Sequence, residues 1–275
     1  MTRFALSMLA TVGSLTLAAP TWAQEWSGPY VGVGLGDVSV GKSDETVRFD
    51  TNLDGQFGDT VNTAAGANAF SPGFCGGMAA GRTPAEGCID DRTRGGPSVS
   101  AGYDWQMGNW VFGIVGDATS VDIIDSVSAY STTPAAYTFT RKLDYIAGLR
   151  GKVGYASENW LVYATGGAAW TEIERQFATT NALNSFTATD GEDEAGYQIG
   201  LGFEHRIDSG WTIGLEYLRT SFDDEAPIVR AGPSSNTFAS NPFLIVNSAG
   251  TDMRRSEDKI EIDQVSVIVR YRFGG

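Results

Sequence analysis

The sequence of 275 residues predicts an all-β fold, an eight-stranded antiparallel up-and-down transmembrane β-barrel with long extracellular loops. Three observations predict it: segments in which apolar and polar residues alternate, connections that are short at one end and long at the other, and aromatic residues at strand ends. Alternation with a period of two is the pattern of a strand between an apolar and a polar environment. No stretch after the N-terminus approaches about eighteen consecutive apolar residues, so membrane insertion would have to use strands.

The last predicted strand, residues 260–273, shows the alternation most clearly. One face carries apolar and aromatic residues, namely Val265, Val267, Val269, Tyr271 and Phe273. The other face carries Gln264, Ser266, Ile268, Arg270 and Arg272. A tilted strand of about ten residues spans a bilayer, whereas strands in soluble proteins usually have about five or six. The length of this strand therefore favours a barrel in a membrane.

Seven earlier segments show the same pattern in shorter or weaker form, and the faces of the fifth are not assigned. They are residues 26–38, 97–105, 110–120, 141–155, 160–177, 197–206 and 211–217. Three connections are short and each leads into a tryptophan, Trp110, Trp160 or Trp211. Four connections are long, at 41–95, 121–140, 178–193 and 223–259. Tight turns at one end and long loops at the other are typical of membrane barrels.

The N-terminal residues 1–23 predict a secretory signal peptide, because Arg3 precedes a short apolar run that ends at the small residues Thr21 and Ala23. The barrel domain is then residues 24–275. In an exported chain, the two cysteines Cys75 and Cys88 predict a disulfide in the first long loop. The net charge of −14 argues against a nucleic-acid partner.

Alternation alone does not say which face meets water, so a soluble periplasmic ligand-binding barrel is an alternative. Aromatic residues at strand ends favour the membrane, since interfacial girdles have this composition. The face opposite the apolar residues also favours it, because it combines glycine with charges of both signs. The charges predicted to point into the barrel are Asp117, Asp144, Arg150, Lys152, Glu204, Glu216, Arg270 and Arg272.

Three segments, residues 108–118, 143–155 and 265–273, resemble the small eight-stranded outer-membrane β-barrel family of Gram-negative bacteria, the porin-like surface proteins of alphaproteobacteria. The resemblance implies a location in the cell outer membrane, in contact with its lipid and lipopolysaccharide. It also implies a partner, the barrel-insertion machinery, engaged through the C-terminal strand. Arg141 and Arg219 are predicted on the outward face at the long-loop end, where they meet lipopolysaccharide phosphates or solvent.

An eight-stranded barrel has room for little beyond its own side chains, so the interior charges predict a salt-bridge network that plugs the lumen. A narrow passive diffusion pore for small solutes is the alternative. The predicted role is structural and surface-interacting, without enzyme activity. The single histidine, His205, lies at the short-turn end, and the sequence contains no nucleophile motif or phosphate-binding loop.

The first long loop carries a candidate calcium site. Asp50, Asn52 and Asp54 followed by glycine match the start of an EF-hand loop, in which alternate oxygens face one ion. The twelfth position should be Glu and is Val61, with Asp59 as a substitute ligand. The competing interpretation is a turn-rich acidic loop.

Overall fold

The computed structural model describes residues 26–41, 45–189, 195–224, 226–238 and 240–274, so the predicted signal peptide lies outside the described residues. Eight long strands form the barrel: β1 Gly28–Val40, β2 Arg92–Met107, β3 Trp110–Ser131, β4 Ala135–Ala156, β5 Trp160–Trp170, β6 Gly196–Asp208, β7 Trp211–Asp223 and β8 Lys259–Arg272. In the described part of the chain, no helix is long and apolar enough to cross a membrane.

Each barrel strand pairs antiparallel with its sequence neighbours, and β8 closes the ring by pairing with β1. In the closing pair, Val33 lies opposite Val269 and Leu35 opposite Val267. Closure matters because a free edge would leave unpaired backbone N–H and C=O groups, which lipid cannot satisfy. The predicted eight-stranded antiparallel barrel is confirmed.

The apolar face of the barrel strands points outward. Val33, Leu201 and Val267 are each more than half exposed, at the middle of three different strands. A soluble barrel that holds a ligand would bury this face, so the alternative of a soluble periplasmic ligand-binding barrel is wrong. At the short-turn end, exposed rings form a belt that includes a T-shaped pair of Trp110 and Tyr155 with centroids 5.7 Å apart.

The largest difference from the prediction lies between residues 121 and 140. The sequence predicts a loop there, but β3 and β4 continue as one hairpin of 22-residue strands joined by residues 132–134. Residues 126–131 and 135–139 are all buried, so both faces of these segments are covered and no exposed residue alternates with a buried one. A strand that is buried on both sides shows no period of two, so its sequence resembles a loop. The predicted fifth strand also divides: β5 ends at Trp170, and Glu174–Thr179 pairs separately with the outer part of β4.

The long loops build a folded cap on the barrel. Four short strands from three different loops form one antiparallel sheet, in the order Ser185–Ala188, Val229–Gly232, Thr251–Arg255 and Val47–Asp50. The opposing layer is the outer part of the β3–β4 hairpin, flanked by Glu174–Thr179 and Gly73–Gly76. A small hairpin pairs Met78–Ala79 with Cys88–Ile89, and the 3-10 helices are Pro84–Glu86 and Pro242–Leu244.

The two layers of the cap enclose their own hydrophobic core. Phe49, Val229 and Met253 from the four-stranded sheet pack with Val127 and Phe139 from the hairpin. A second apolar cluster fills the upper lumen below the cap, with Ile123, Leu143, Ile146, Phe222 and Ile262 fully or almost fully buried. An apolar cluster therefore lies in the barrel below the cap.

The outward face predicts a depth-dependent response to charge on β6. Leu201 and Ile207 are each 62% exposed, but Leu201 lies in mid-strand and Ile207 beside the short turn. We expect Leu201→Lys to lower the free energy of unfolding from lipid vesicles by about 2–4 kcal/mol, and Ile207→Lys by about 0–1 kcal/mol. Denaturant titration in vesicles measures both. Equal costs at the two positions would contradict a lipid-facing surface.

Candidate functional site

The lumen gathers seven of the eight charges predicted to point inward. Their side chains are at most 7% exposed, and they are Asp117, Arg150, Lys152, Glu204, Glu216, Arg270 and Arg272. They lie on β3, β4, β6, β7 and β8, whose inward positions meet across the narrow barrel. Each forms at least one ion pair, which is what charges removed from water require.

The lower part of the network is centred on Asp104 of β2. Its carboxylate accepts hydrogen bonds from Lys152 Nζ at 2.7 Å and from Arg272 Nη2 at 2.9 Å. The Lys152 ammonium also lies 4.7 Å from the centre of the Tyr30 ring. Asp104 is not among the charges that the sequence predicts to point into the barrel.

The upper part of the network is a chain of alternating charge. Arg150 donates to Asp117 at 2.9 Å and to Glu216 at 3.2 Å, and Arg270 bridges Glu216 and Glu204. The Tyr163 hydroxyl donates to Glu216 at 2.6 Å and accepts from Arg270 Nη1 at 3.1 Å. Tyr163 was not predicted, because the faces of the fifth strand are not readable from its sequence.

Glycine makes room for these side chains. A Cβ atom added to Gly202 would overlap the Tyr163 ring, and one added to Gly113 would overlap the Asp104 carboxylate. The glycines that alternate along the inward face are therefore needed because large side chains from neighbouring strands occupy the space in front of them.

Two predicted orientations are wrong, and one bulge is the reason for both. The register of β3 and β4 shifts between Ser120 and Ile123, so the alternation changes phase at that level. Asp144 is consequently 58% exposed on the outside, where it pairs with Lys142. Arg141, predicted to point outward, is buried and donates to Asp125 and to Asp224. Arg219 does lie on the outer surface, paired with Glu261.

Arg141 belongs to a second buried charge cluster, at the base of the cap. Arg255 Nε donates to Glu45 at 2.6 Å, and Arg255 Nη2 donates to Asp125 at 2.7 Å. Arg175 Nε donates to Asp224 at 2.7 Å. These residues come from separate loops and strand ends, and no local motif in the sequence marks them.

Trp26 lies at the short-turn end of the lumen and is fully buried. Its indole Nε1 donates to the Ser157 carbonyl at 2.9 Å, and its ring packs with Val111, Ala156 and Leu161. The paired charges therefore lie between Trp26 and the apolar layer beneath the cap.

In the first long loop, the predicted calcium ligands are engaged by other groups. Asp50 accepts backbone N–H donors from residues 53, 54 and 55, and Asn52 accepts that of Asp54. Asp59 accepts from the side chain and backbone of Thr51, which lowers the pKa of its carboxyl. In the part of the chain that the structure describes, no three His, Cys, Asp or Glu side chains are grouped to hold a metal. Calcium binding stays a prediction.

The predicted disulfide is present and joins Cys75 to Cys88. It links the strand beside β3 to the small hairpin of the cap, and the Tyr130 hydroxyl donates to the Gly87 carbonyl at 3.1 Å next to it. The only histidine, His205, is exposed on the outward face of β6.

A cavity of about 710 Å³ lies between barrel and cap, and carboxylates dominate its lining. Asp91 accepts the Ser126 N–H there at 2.8 Å. Burial of the carboxyl and the nearby Asp125 charge raise the pKa of Asp91 from its ordinary value of 3.8 to about 6. Because the residue is exposed at the cavity mouth, water screens part of this effect.

The buried ion pairs of the lumen predict that replacing one of their charges causes a large loss of stability. We expect Glu204→Gln to lower the free energy of unfolding by about 3–5 kcal/mol, because Arg270 and Lys152 lose a buried partner. The control is Asp144→Asn, which removes an exposed ion pair and should change it by less than about 0.5 kcal/mol. Denaturant unfolding of the refolded barrel compares the two, and a small cost for Glu204→Gln would contradict the plugged lumen.

The raised pKa of Asp91 predicts a dependence on pH. A carboxyl whose pKa is higher in the folded state contributes stability at low pH, and this contribution is lost as pH rises through about 6. We expect Asp91→Asn to match the parent protein at pH 4 and to melt at a higher temperature at pH 8. Melting measured by gel mobility across this range tests it, with Asp90→Asn as the neighbouring control. No gain at pH 8 would contradict the assignment.

The chain is similar to known outer-membrane proteins in sequence and in fold. Residues 7–273 match the family described as the outer membrane protein beta-barrel domain. A 31 kDa outer-membrane immunogenic protein of Brucella melitensis is 25% identical over 271 residues, which are 98% of this chain and 92% of that protein. A 22 kDa outer membrane protein of Rhizobium leguminosarum bv. viciae is 26% identical over 53% of this chain and 61% of its own length. The crystal structure of the outer membrane protein OprG from Pseudomonas aeruginosa aligns with a TM-score of 0.48 at 10% identity, covering 90% of this chain and 98% of that one.

Proposed function

Since this chain belongs to the outer membrane protein β-barrel domain family, we propose that it is a closed outer-membrane barrel that carries a folded extracellular cap, with a structural and surface-interaction role. The observation that supports a closed barrel is the filled lumen. Its charges are paired with one another, and an apolar layer and Trp26 lie at its two ends.

A solute could cross only by separating these ion pairs. Breaking a buried pair leaves a charge without water or partner, at a cost of about 3–5 kcal/mol for each pair. Passage would also require movement of Ile123 and Phe222 from the upper layer, both fully buried. Closure by two different kinds of barrier supports a plug more strongly than either barrier alone.

A narrow diffusion pore is the second candidate, and four lumen atoms favour it. Asp104 Oδ1, Arg150 Nη1, Gln198 Oε1 and Arg270 Nε are buried without a hydrogen-bond partner among the described residues. Such atoms call for water. These atoms lie between the apolar layer and Trp26, so isolated water molecules would satisfy them without a continuous water path through the lumen.

Catalysis is not part of the proposal. The lumen carboxylates of Asp104, Glu204 and Glu216 are held by cations, so none is free to act as a base. His205 lies on the lipid-facing side, away from both the lumen and the cap. The surface-interaction role belongs to the cap, because loops held by a folded scaffold commonly carry recognition.

For assembly, we propose that the barrel-insertion machinery engages β8, the strand that closes the ring against β1 and β7. Outer-membrane lipid contacts the apolar outer face. Arg219 gives little support to a lipopolysaccharide phosphate site, since Glu261 and Asp263 already surround it.

The closed lumen is tested by thiol labelling from both sides of the membrane. The native cysteines are joined to each other, so Ser266→Cys in the lumen and Ser71→Cys on the cap each introduce one thiol. We expect a membrane-impermeant maleimide to label Ser71→Cys and to leave Ser266→Cys unmodified, and the parent protein to show no conductance in planar bilayers. Labelling of Ser266→Cys together with ion conductance would establish the pore instead.

A further inference from the structure

A cavity of about 360 Å³ lies near the outer tip of the cap, away from the lumen. Its walls are the β3–β4 turn at residues 132–134, the segment 180–184, Phe238 and residues 241–243. The β3–β4 turn joins the two longest strands, so this cavity is among the parts of the chain farthest from the membrane. Pockets for small molecules begin at about 300 Å³.

The floor of the cavity consists of three aromatic rings. Phe70, Tyr137 and Phe243 have ring centroids 5.4, 5.9 and 5.6 Å apart in the three pairs, all tilted or edge-on. Their side chains line the cavity although each residue is at most 4% exposed. Aromatic rings attract one another at centroid distances of about 4.5–7 Å, so the floor is suited to a further ring.

The asparagine side chains of the wall are already paired. Asn181 Nδ2 donates to the Tyr137 hydroxyl at 2.9 Å and to Asn184 Oδ1 at 3.0 Å, and Asn241 Nδ2 donates to the same oxygen at 3.0 Å. Asn184 Nδ2 donates to the Gly232 carbonyl at 3.1 Å. These bonds fix the wall before a ligand arrives and leave it with little need for polar groups on the ligand.

Among the described residues that line the cavity, Arg82 is the only cation. It is exposed, and its Nη2 donates to the Thr180 carbonyl at 3.3 Å. Within the described residues, no carboxylate lies within ion-pair distance of its guanidinium. The Glu86 carboxylate accepts from the backbone N–H of Arg82 and Thr83 and interacts with the Arg82 charge only at longer range. In a chain of net charge −14, a cation without an ion-pair partner beside an apolar cavity indicates an anionic ligand group.

We propose that this cavity binds a small aromatic carboxylate of one or two rings, with the ring on the aromatic floor and the carboxylate at Arg82. The proposal deepens the surface-interaction role of the cap but does not depend on whether the lumen conducts. The size of the cavity sets the limit on the ligand, and the planar guanidinium suits a carboxylate.

Binding is tested with the full mature chain in lipid nanodiscs, because detergent chains would compete for an apolar cavity. The probes are 2-naphthoate and, as a neutral control of equal size, 2-naphthalenemethanol, measured by isothermal titration. We expect the parent protein to bind 2-naphthoate more tightly than the alcohol. Arg82→Gln should weaken binding of 2-naphthoate about tenfold and leave binding of the alcohol unchanged, since it removes the guanidinium charge at the rim and keeps the aromatic rings of the cavity.

Ala182→Trp, which adds bulk to the cavity wall, should abolish binding of both probes. If this variant does not show the gel mobility of a folded barrel, Thr133→Trp on the opposite wall replaces it. Arg92→Gln removes an exposed arginine elsewhere and should bind as the parent does. Equal binding by the parent and the tryptophan variant would mean partition into lipid and would overturn the proposal, as would no binding by the parent.

The two functional proposals fail separately. Labelling of Ser266→Cys together with intact binding of 2-naphthoate would contradict only the proposal of a closed lumen. Protection of Ser266→Cys from the maleimide together with no binding of 2-naphthoate would contradict only the proposal of an aromatic carboxylate site.

Discussion

The need to pair every charge inside a narrow closed ring is the constraint on which the rest of this structure depends. Eight strands leave space for side chains but not for bulk water, so Arg150, Arg270 and Arg272 must find carboxylates on other strands. Those partners reach them only because glycines on the same face leave space, as Gly202 does for Tyr163. The network then ties together strands far apart in sequence.

The same constraint explains why the polar lumen ends where the cap begins. Above the charges, inward positions become apolar, with Ile123, Leu143 and Phe222 forming a buried layer. Beyond it, Arg141 and Arg255 form a second cluster with carboxylates from the loops. Apolar and charged layers alternate along the axis, and the outermost layer is the core of the cap. A cap held in this way presents a preformed surface.

Local patterns in the sequence predicted the structure correctly where a strand has one lipid-facing and one lumen-facing side, and failed elsewhere. The closing strand, with Val267 outward and Arg270 inward, follows its alternation throughout. At the level of Asp144, a bulge in the neighbouring strand β3 changes which residues of β4 point inward, and no pattern within β4 itself reveals this change. The outer halves of β3 and β4 look like a loop because both of their faces are buried.

The sequence by itself determined the number of strands, the face that meets lipid and most of the charges that point inward. These follow from a period of two, which is a property of residues next to one another in the chain. Only the tertiary structure decided which charges pair, as for Arg150 with Glu216, 66 residues away, and how three loops combine into the cap sheet. Pairing depends on the register of closed strands and on contacts across the lumen, and neither leaves a local signal in the sequence.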